Sequence, residues 1–394
     1  MKERCMDPIK VRLGAEVEAL AGDLNAVSEF LYNNPEIGYQ EFKGCEYLSR
    51  FLRERGFEVE QGVGGVKTAF LARPASRQKT RPAVAFLAEY DALPGVGHGC
   101  GHNLIAASSV GAAVALSRLI GGLSGSLAVV GTPAEEGGGG KILLAEAGVF
   151  SAMDMAMMCH PSRLNRAGEE MLGRVKFKVE FFGKAAHASV SPDQGINALD
   201  AMVAAYNHIS VLRQSVLPDA RIHGIITHGG DAPNIIPQYT AGLFYIRAAT
   251  RRYRDELFKR VEKCIEGAAI ATGASYKIEV GQPTFDPIKR NLPLEEAARA
   301  NMEAIGIAID PDDGRRGSSD IGNLSYYLPA IHPNLAIVGP EVPGHSEVFR
   351  EASVSTRGRE ALLNAAKLLA MTGYDFLVSA ELREKAREAF GKKE

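Results

Sequence analysis

Short segments that are almost entirely apolar recur along the first half of the chain, and polar residues or glycines follow each of them. The clearest are Ala83–Ala88, Ser126–Gly131 and Ala152–Cys159, with stretches of helical periodicity between them. A strand that is apolar on both faces is typical of the centre of a parallel sheet covered by helices. The alternation predicts an α/β fold with a mostly parallel sheet, whose ligands bind where the strands end.

The polar residues after these segments include types that bind transition metals. The loop Gly97–Asn103, with the sequence GHGCGHN, places Cys100 and His102 close together. Its glycines permit positive φ angles, so the backbone can double back and direct both side chains to one point. Thiolate and imidazole are ligands that zinc prefers. A glycine-rich loop with a free thiol and no metal is the alternative that this stretch alone leaves open.

Further candidate ligands follow the later segments. Glu135 and Glu136 follow the second apolar segment, His160 follows the third, and His345 lies in another glycine–histidine pair near the C-terminus. There would then be five ligands, namely Cys100 and His102 from the loop, one of the two glutamates, His160 and His345. A single zinc usually takes four, whereas two-metal sites need more. These residues favour a hydrolase with two metal ions.

The length and the order of the predicted elements indicate two domains. A chain of 394 residues exceeds what one hydrophobic core usually serves. From Arg174 to Val280 the pattern changes to strand, helix, strand, strand, helix, strand, which is the ferredoxin-like βαββαβ arrangement. We predict a ferredoxin-like domain at 171–286, inserted into a metal-binding catalytic domain formed by 1–170 and 287–394.

Composition and charge argue against several classes of protein. Lys and Arg number 45 against 47 Asp and Glu, and a net charge of −2 disfavours electrostatically driven binding of nucleic acid. The N-terminus lacks the apolar core of a signal peptide, and no uninterrupted apolar run has the length needed to cross a bilayer. Five cysteines without paired spacing do not indicate a disulfide framework. These features predict a cytoplasmic protein without membrane partners, in which Cys100 stays reduced.

The ordered set of motifs resembles the aminoacylase and carboxypeptidase G-like family of metallopeptidases. Within it, the chain is similar to the branch of hippurate hydrolase, auxin-conjugate amidohydrolases and aminobenzoyl-glutamate hydrolase subunits. The matching motifs occur in the family's order across nearly the whole chain. They are DALP at 91–94, GHGCGHN at 97–103, PAEEGGG at 133–139, HP at 160–161, GKAAHAS at 183–189, GDAPNIIP at 230–237 and GHSE at 344–347.

The resemblance implies a role for each candidate in the catalytic domain. Glu135 would be the catalytic base. The ligand types themselves favour zinc or manganese for the two metal ions, with cobalt as a further candidate. On extended backbone, neighbouring side chains point to opposite sides, so one glutamate could bind metal while the other faces the substrate. The implied metal ligands are Cys100, His102, Glu136, His160 and His345.

The resemblance also implies that the inserted domain is a lid and a dimerisation domain. In such a homodimer His187 would polarise the substrate carbonyl from the partner subunit. Asn234 and Arg247 are the implied contacts of a substrate carboxylate, because an arginine fork can bind carboxylate through two parallel hydrogen bonds.

Two positions depart from the pattern of the relatives. Asn103 stands where hippurate-hydrolase-like members carry Asp, and Ser319 stands where relatives carry Glu. Asp91 has two interpretations, as a residue that orients a ligand or as a turn residue before Pro94. We predict that the histidines outside these motifs are structural, namely His208, His223, His228 and His332.

The expected activity is hydrolysis of the amide bond of an N-acyl amino acid, an aryl-acyl amino acid or a dipeptide. A metal lowers the pKa of its bound water, and a nearby carboxylate takes the proton as the water attacks the carbonyl. Two alternatives stay open here. One is another metal-dependent C–N hydrolase of the deaminase type, and the other is a metal-free relative that acts as a binding or scaffold subunit.

Overall fold

A computed structural model describes residues 7–75, 80–119, 121–122 and 124–392. The chain divides into two compact units. One contains the chain up to Glu169, Lys289–Arg315 and the chain from Ser319 onwards, and the other contains Glu170–Ile288 with Arg316–Ser318. The second unit is therefore an insertion in the first. The first six residues, which contribute to the signal-peptide argument and include Cys5, lie outside the described residues.

The chain begins with three helices, a hairpin and a strand–helix alternation. Asp7 caps the first helix by accepting a hydrogen bond from the backbone N–H of Ile9, and Pro8 occupies its first turn. The elements are α1 Pro8–Ala19, α2 Ala21–Asn33, α3 Phe42–Arg53, β1 Phe57–Gln61, β2 Phe70–Pro74, β3 Ala83–Ala88, α4 His102–Leu119, β4 Ser126–Gly131, α5 Gly140–Glu146, β5 Met155–Met157 and β6 His160–Ser162.

The inserted unit has the predicted ferredoxin-like order of elements. Its four strands form an antiparallel sheet in the order fourth, first, third, second. Alternate residues of the first strand, such as Phe177 and Phe181, belong to a core shared with the two helices. The elements are β7 Gly173–Phe182, α6 Ala198–Leu212, β8 Arg221–His228, β9 Tyr239–Ala248, α7 Arg251–Thr272 and β10 Ser275–Phe285.

The chain then returns to the first unit. Its longest helix there is apolar and long enough to cross a membrane by length and composition alone, and 72% of its apolar window is buried within the protein. Residues of this helix belong to the core of the first unit. The elements are α8 Leu292–Ala304, α9 Ile321–Leu324, β11 Ala330–Ile331, β12 Asn334–Ala336, α10 Glu347–Ala352, α11 Thr356–Val378 and α12 Ala380–Gly391.

The first unit contains a six-stranded sheet in the order β1-β2-β4-β3-β5-β11. The four strands from β4 to β11 are parallel, and the β1–β2 hairpin joins them antiparallel at one edge. Every residue of β3 and β4 is buried, as expected for central strands. Helix α4 packs closely on α2, since a Cβ on Gly111 would lie 2.6 Å from Cδ1 of Leu24. The predicted α/β class and inserted ferredoxin-like domain are confirmed.

Two predicted elements differ from the structure. The apolar stripe from Val17 to Leu31 predicts one helix, but the chain forms two helices that meet at Leu20. Both bury their apolar residues in the same core, and Gly22, a weak helix former, follows the break. The strand predicted at Ala152–Cys159 is limited to Met155–Met157, the residues that pair with β3 on one side and with β11 on the other.

Candidate metal centre

The candidate ligands lie at the carboxyl ends of the parallel strands. Glu89 and Asp91 follow β3, the adjacent pair Glu135 and Glu136 comes shortly after β4, and His160 opens β6 just beyond β5. Helix α4 begins at His102, so the last two residues of the GHGCGHN motif form its first turn. This is the edge at which open α/β sheets bind their ligands.

Two groups of candidate ligand atoms overlap at this edge. The ligand atoms of Cys100, His102 and Glu136 lie within 4.8 Å of one another, and so do those of Glu89, His102 and His160. His102 belongs to both groups. Thiolate, imidazole and carboxylate are the ligands of zinc and related divalent ions. The structure brings four of the five predicted ligands together and adds Glu89.

The fifth predicted ligand, His345, lies beside the first group. Its Nε2 atom is 3.9 Å from Oε2 of Glu136, and 62% of its side chain is exposed. The backbone N–H of His345 donates to the carbonyl of Gly99 at 3.1 Å, which ties the C-terminal GHSE motif to the GHGCGHN loop. All five predicted side chains therefore meet at one place, and their binding of metal stays a prediction.

Asp91 orients His102. Nδ1 of His102 lies 3.0 Å from both the carbonyl oxygen and Oδ1 of Asp91, so Nδ1–H donates to Asp91 and Nε2 points to the other carboxylates. The second Asp91 oxygen accepts the backbone N–H of Glu136 at 3.0 Å. Burial disfavours a charge on His102, but Asp91 and Glu89 raise its pKa well above the ordinary value. The first interpretation of Asp91, as an orienting residue, fits this geometry.

The imidazole of His160 is neutral, and a backbone carbonyl fixes its tautomer. Its Nδ1 atom lies 2.6 Å from the carbonyl oxygen of Pro161, so Nδ1–H donates there and Nε2 carries the free lone pair. Burial and the neighbouring His102 lower the pKa of His160 to about 4. A neutral imidazole whose tautomer is fixed by a backbone acceptor is the usual state of a metal-binding histidine.

The two adjacent glutamates lie in a turn, and the extended backbone expected from the sequence is wrong. Ala134 has a positive φ of 60°, and residues 135–138 form the turn that follows. Oε2 of Glu135 and Oε1 of Glu136 lie 4.0 and 3.9 Å from Nε2 of His102, so both face one imidazole. Glu136 also neighbours Cys100 and His345. This favours Glu136 as a ligand and leaves Glu135 free to act as a base.

The charges at this edge fit divalent cations. The carboxylates here outnumber the one buried ammonium group, that of Lys141, which pairs with two of them. Burial and the charges of Glu89 and Glu136 raise the pKa of Glu135 well above its ordinary value. Nε2 of His102 has no hydrogen-bond partner among the described residues. Metal ions would offset this excess charge and satisfy that nitrogen. The carboxylates are Glu89, Asp91, Glu135, Glu136 and Asp320.

Sequence reasoning missed four residues of this centre. Glu89 directly follows β3, and the rule that placed Glu135 and His160 at strand ends would have found it. His332 lies directly after β11, and its ring centroid is 5.3 Å from that of His160. It is predicted to be structural because it lies outside the family motifs, and the two-residue β11 before it leaves no pattern in the sequence. The other two, Lys141 and Asp320, give no signal before their partners are known.

The two departures from the relatives' pattern have local structural contacts. Nδ2 of Asn103 donates to Oγ of Ser28 at 2.8 Å, which ties α4 to α2. Oγ of Ser319 accepts the backbone N–H of Ile321 at 3.4 Å, at the first residue of α9. Asn103 is fully buried in this contact.

In the inserted unit, backbone pairing brings His187 beside Asn234. His187 pairs with Ile235 in an isolated bridge, and the N–H of Ala188 donates to the carbonyl of Asn234 at 3.0 Å. The backbone N–H of Ser189 donates to Nδ1 of His187 at 3.4 Å. Nδ1 is therefore the acceptor, and the proton of the neutral ring lies on Nε2. An exposed imidazole with an Nε2–H donor suits the predicted contact with a carbonyl oxygen.

Arg247 lies at the other end of β9 from this pair. Its Nη1 atom donates to Oγ of Ser318 at 2.8 Å. Arg174 on β7 and Arg221 on β8 stand opposite it in register, so three arginines form a row across the sheet. Like charges placed directly opposite are destabilising, and an anion would relieve their repulsion. Burial and Arg174 lower the pKa of Arg247.

Comparison with known proteins identifies the family. The sequence profile of the peptidase family M20/M25/M40 matches residues 85–370. The chain belongs to this family. It is 39% identical to the Xaa-Arg dipeptidase of Homo sapiens, over 98% of this chain and 92% of that protein. It is 33% identical to a subunit of the p-aminobenzoyl-glutamate hydrolase of Escherichia coli, over 62% of this chain and 55% of that protein.

A solved structure shares the fold of this M20 peptidase. A dinuclear metal-binding peptidase of the M20 family from Bacillus subtilis superimposes with a TM-score of 0.70 at 21% identity, covering 90% of this chain and 98% of that one. The family resemblance drawn from the motifs is confirmed, and with it the assignment of the chain as a metallopeptidase that uses divalent metal.

Metal should protect Cys100 of this M20 peptidase from alkylation. A coordinating thiolate has its lone pair committed to metal, so we expect the labelling rate of Cys100 to rise at least tenfold after chelation. In the metal-free site burial and Glu136 raise the pKa of Cys100 well above its ordinary value, so labelling should stay slower than in unfolded protein. Cys264, which is partly exposed in the inserted unit, is the internal control. Peptide mass spectrometry measures both rates, and equal Cys100 labelling with and without chelator would show that it is no ligand.

Glu41 fixes the backbone of Ala134, the residue with a positive φ angle directly before the two glutamates. This fully buried side chain accepts the backbone N–H of Ala134 at 2.8 Å through Oε1. Gly38 leaves room for the turn, since a Cβ there would lie 2.9 Å from Cβ of Ala134. Burial raises the pKa of Glu41 to about 7. A raised pKa means that this carboxyl contributes stability below its unfolded pKa and loses that contribution as the pH rises through about 7.

Glu41→Gln should therefore gain stability relative to the wild type as the pH rises. Between pH 5 and pH 8 the difference in unfolding free energy between the two proteins should move in favour of the variant by up to about 3 kcal/mol. Urea unfolding of both proteins in chelator measures it. Glu58→Gln, at an exposed strand position, controls for the loss of one carboxylate. A difference for Glu41→Gln that does not change with pH would contradict the prediction.

Proposed function

We propose that this M20 peptidase is a dipeptidase or N-acyl amino acid amidohydrolase that holds two divalent ions. The observation that carries the proposal is the pair of overlapping ligand groups that share His102. Cys100, Glu136, His160 and His345 provide the other predicted contacts. When bound, the ions supply a Lewis acid for the amide carbonyl and a nucleophile that is available near neutral pH. The thiolate favours zinc, and the imidazole and carboxylate ligands also suit manganese or cobalt.

Glu135 is the proposed proton acceptor during attack on the amide. It faces His102 without belonging to either group of ligand atoms. Its pKa in the absence of metal is raised by burial and by the carboxylates beside it. Cations would counter that repulsion and favour the ionised carboxylate, which is the form that can accept a proton. The same side chain then returns the proton to the leaving amine.

Among possible substrates, we place dipeptides with a basic C-terminal residue first. The similarity to an Xaa-Arg dipeptidase extends over nearly the whole of both chains. The arginine row around Arg247 provides a site for the substrate carboxylate, with Asn234 as the second proposed contact. Aryl-acyl glutamates are the second candidate, supported by the partial similarity to the aminobenzoyl-glutamate hydrolase.

The remaining assignments also rest on the family. We propose that residues 171–286 act as a lid and dimerisation domain, with His187 as the group that polarises the carbonyl. We place the homodimer in the cytoplasm, since the Cys100 thiolate must stay reduced to bind metal.

A substrate panel tests the proposal. Purified protein is dialysed against chelator, reloaded separately with zinc, manganese or cobalt, and assayed with Xaa-Arg, Xaa-Lys and Xaa-Glu dipeptides, N-acetyl amino acids and p-aminobenzoyl-glutamate. We expect metal-dependent release of a free amino acid, fastest with the basic dipeptides. Release of ammonia without a new carboxylic acid would instead indicate the deaminase-type reaction. Equal rates before and after chelation would contradict a metal-dependent function.

A further inference from the structure

A lysine is buried completely next to the metal centre. Lys141, in the first turn of α5, has no exposed surface. Its Nζ atom lies 2.7 Å from Oδ1 of Asp320 and 2.5 Å from Oε1 of Glu89. The backbone N–H of Lys141 donates to the other Asp320 oxygen at 3.0 Å. Removing three charges from water costs several kcal/mol per ion before pairing, so a triad of this kind is an expensive way to stabilise a fold.

Glu89 connects this triad to the candidate ligands. One carboxylate oxygen faces Lys141, and the other lies 3.4 Å from Nε2 of His102. Glu89, His102 and His160 form the second group of ligand atoms within 4.8 Å of one another. The carboxylate is therefore held between a fixed ammonium group on one side and two imidazoles on the other.

We propose that Lys141 is a positioning residue for metal binding. Asp320 fixes the ammonium group, the ammonium group occupies one oxygen of Glu89, and the remaining oxygen is directed at His102 and His160. Glu89 then serves as a further ligand, and its contribution depends on Lys141. This inference rests on the proposed two-ion function.

The arrangement has a consequence for the two ions. Lys141 pairs with Glu89 and Asp320, and neither of these belongs to the group of Cys100, His102 and Glu136. Glu89 belongs only to the second group. Loss of Lys141 should therefore weaken one metal equivalent and leave the other near its original affinity. Loss of a group that orients a ligand typically lowers metal affinity 10- to 100-fold.

Metal binding to variants tests the proposal without an activity assay. Wild type, Lys141→Met, Glu89→Gln and the double variant are equilibrated with zinc at buffered free concentrations, and bound metal per chain is determined by elemental analysis. We expect two equivalents in the wild type, and a second equivalent that binds 10- to 100-fold more weakly in each single variant. The double variant should bind metal no more weakly than Glu89→Gln alone, because both changes remove the same contact.

Two further variants separate positioning from stability. Lys10 pairs with Asp375 in the same unit, and Lys10→Met should lower stability without changing metal affinity. Asp320→Asn keeps the lysine but weakens the ion pair that fixes its ammonium group. It should show part of the loss of metal affinity expected for Lys141→Met, and it serves as the test if Lys141→Met does not fold. The rise in melting temperature on adding zinc, compared with each metal-free variant, gives a second readout.

The outcomes are distinct. If Lys141→Met binds two zinc equivalents with wild-type affinity, the inference is wrong and the two-ion function stands. The same result in Asp320→Asn has this meaning if only that variant folds. Additive losses in the double variant would also overturn the inference. A wild type that holds a single ion at saturation would contradict both this inference and the two-ion function.

Discussion

Glu135→Gln is expected to bind metal like the wild type and to lose about 10²- to 10⁴-fold in kcat. The loss follows from removing a positioned proton acceptor, whose contribution to an amide hydrolysis is typically of that size. Metal is expected to stay, since Glu135 is in neither group of ligand atoms although it lies 4.0 Å from His102. Turnover and metal content are measured on the same preparation.

Glu136→Gln is the matched control, one residue further along the same turn. Its carboxylate lies among the atoms of the first ligand group, so this variant should lose metal affinity as well as turnover. If Glu136→Gln keeps its full metal content and Glu135→Gln loses metal, Glu135 is the ligand and Glu136 is the base. Normal turnover of a metal-loaded Glu135→Gln protein would remove it as the base.

The elements predicted best from the sequence have a local pattern and are bounded by glycine, proline or charged residues. The boundaries of β3 and β4 agree with the predicted segments Ala83–Ala88 and Ser126–Gly131, since these apolar runs end at a charged residue or a glycine. The break at Leu20 was not predictable in this way. The apolar stripe continues through it, and only packing in three dimensions ends one helix and begins the next.

In the candidate site as well, the features with a local sequence pattern were predictable, and those that depend on contacts between distant segments were not. The motifs place their residues together because each ends a parallel strand or begins the following helix. In the triad of Glu89, Lys141 and Asp320, the hydrogen bond from the Lys141 backbone to the Asp320 carboxylate joins residues 179 positions apart, so no local pattern predicts it. The opposite orientation expected for the adjacent glutamates failed because Ala134 turns the backbone before they begin.

His187→Ala is expected to lower kcat by about 10²- to 10³-fold while metal content and fold remain. Nδ1 of His187 accepts the N–H of Ser189, so Nε2–H is available to a carbonyl oxygen. Loss of one such donor to a developing oxyanion has an effect of that size. Ser189→Ala is a milder comparison, because the backbone N–H that fixes the ring remains. A His187→Ala protein with wild-type kcat on the best dipeptide would contradict the role.

Within one chain, His187 and Arg247 are too far apart to contact the same dipeptide. Arg247 lies eight residues beyond the first residue of β9, which corresponds to about 27 Å of strand, and His187 pairs with the segment before that strand. An extended dipeptide backbone spans only about 7 Å. If both side chains act on the substrate, two subunits must contribute them. The family resemblance implies that His187 is the side chain that the partner subunit contributes to the site of Glu135. On that basis, mixing inactive His187→Ala and Glu135→Gln subunits should restore activity, because one site in each mixed dimer regains both groups. We expect recovery to approach about a quarter of the wild-type activity after full exchange of equal amounts. No recovery after verified exchange would show that His187 and Glu135 of one site come from the same chain.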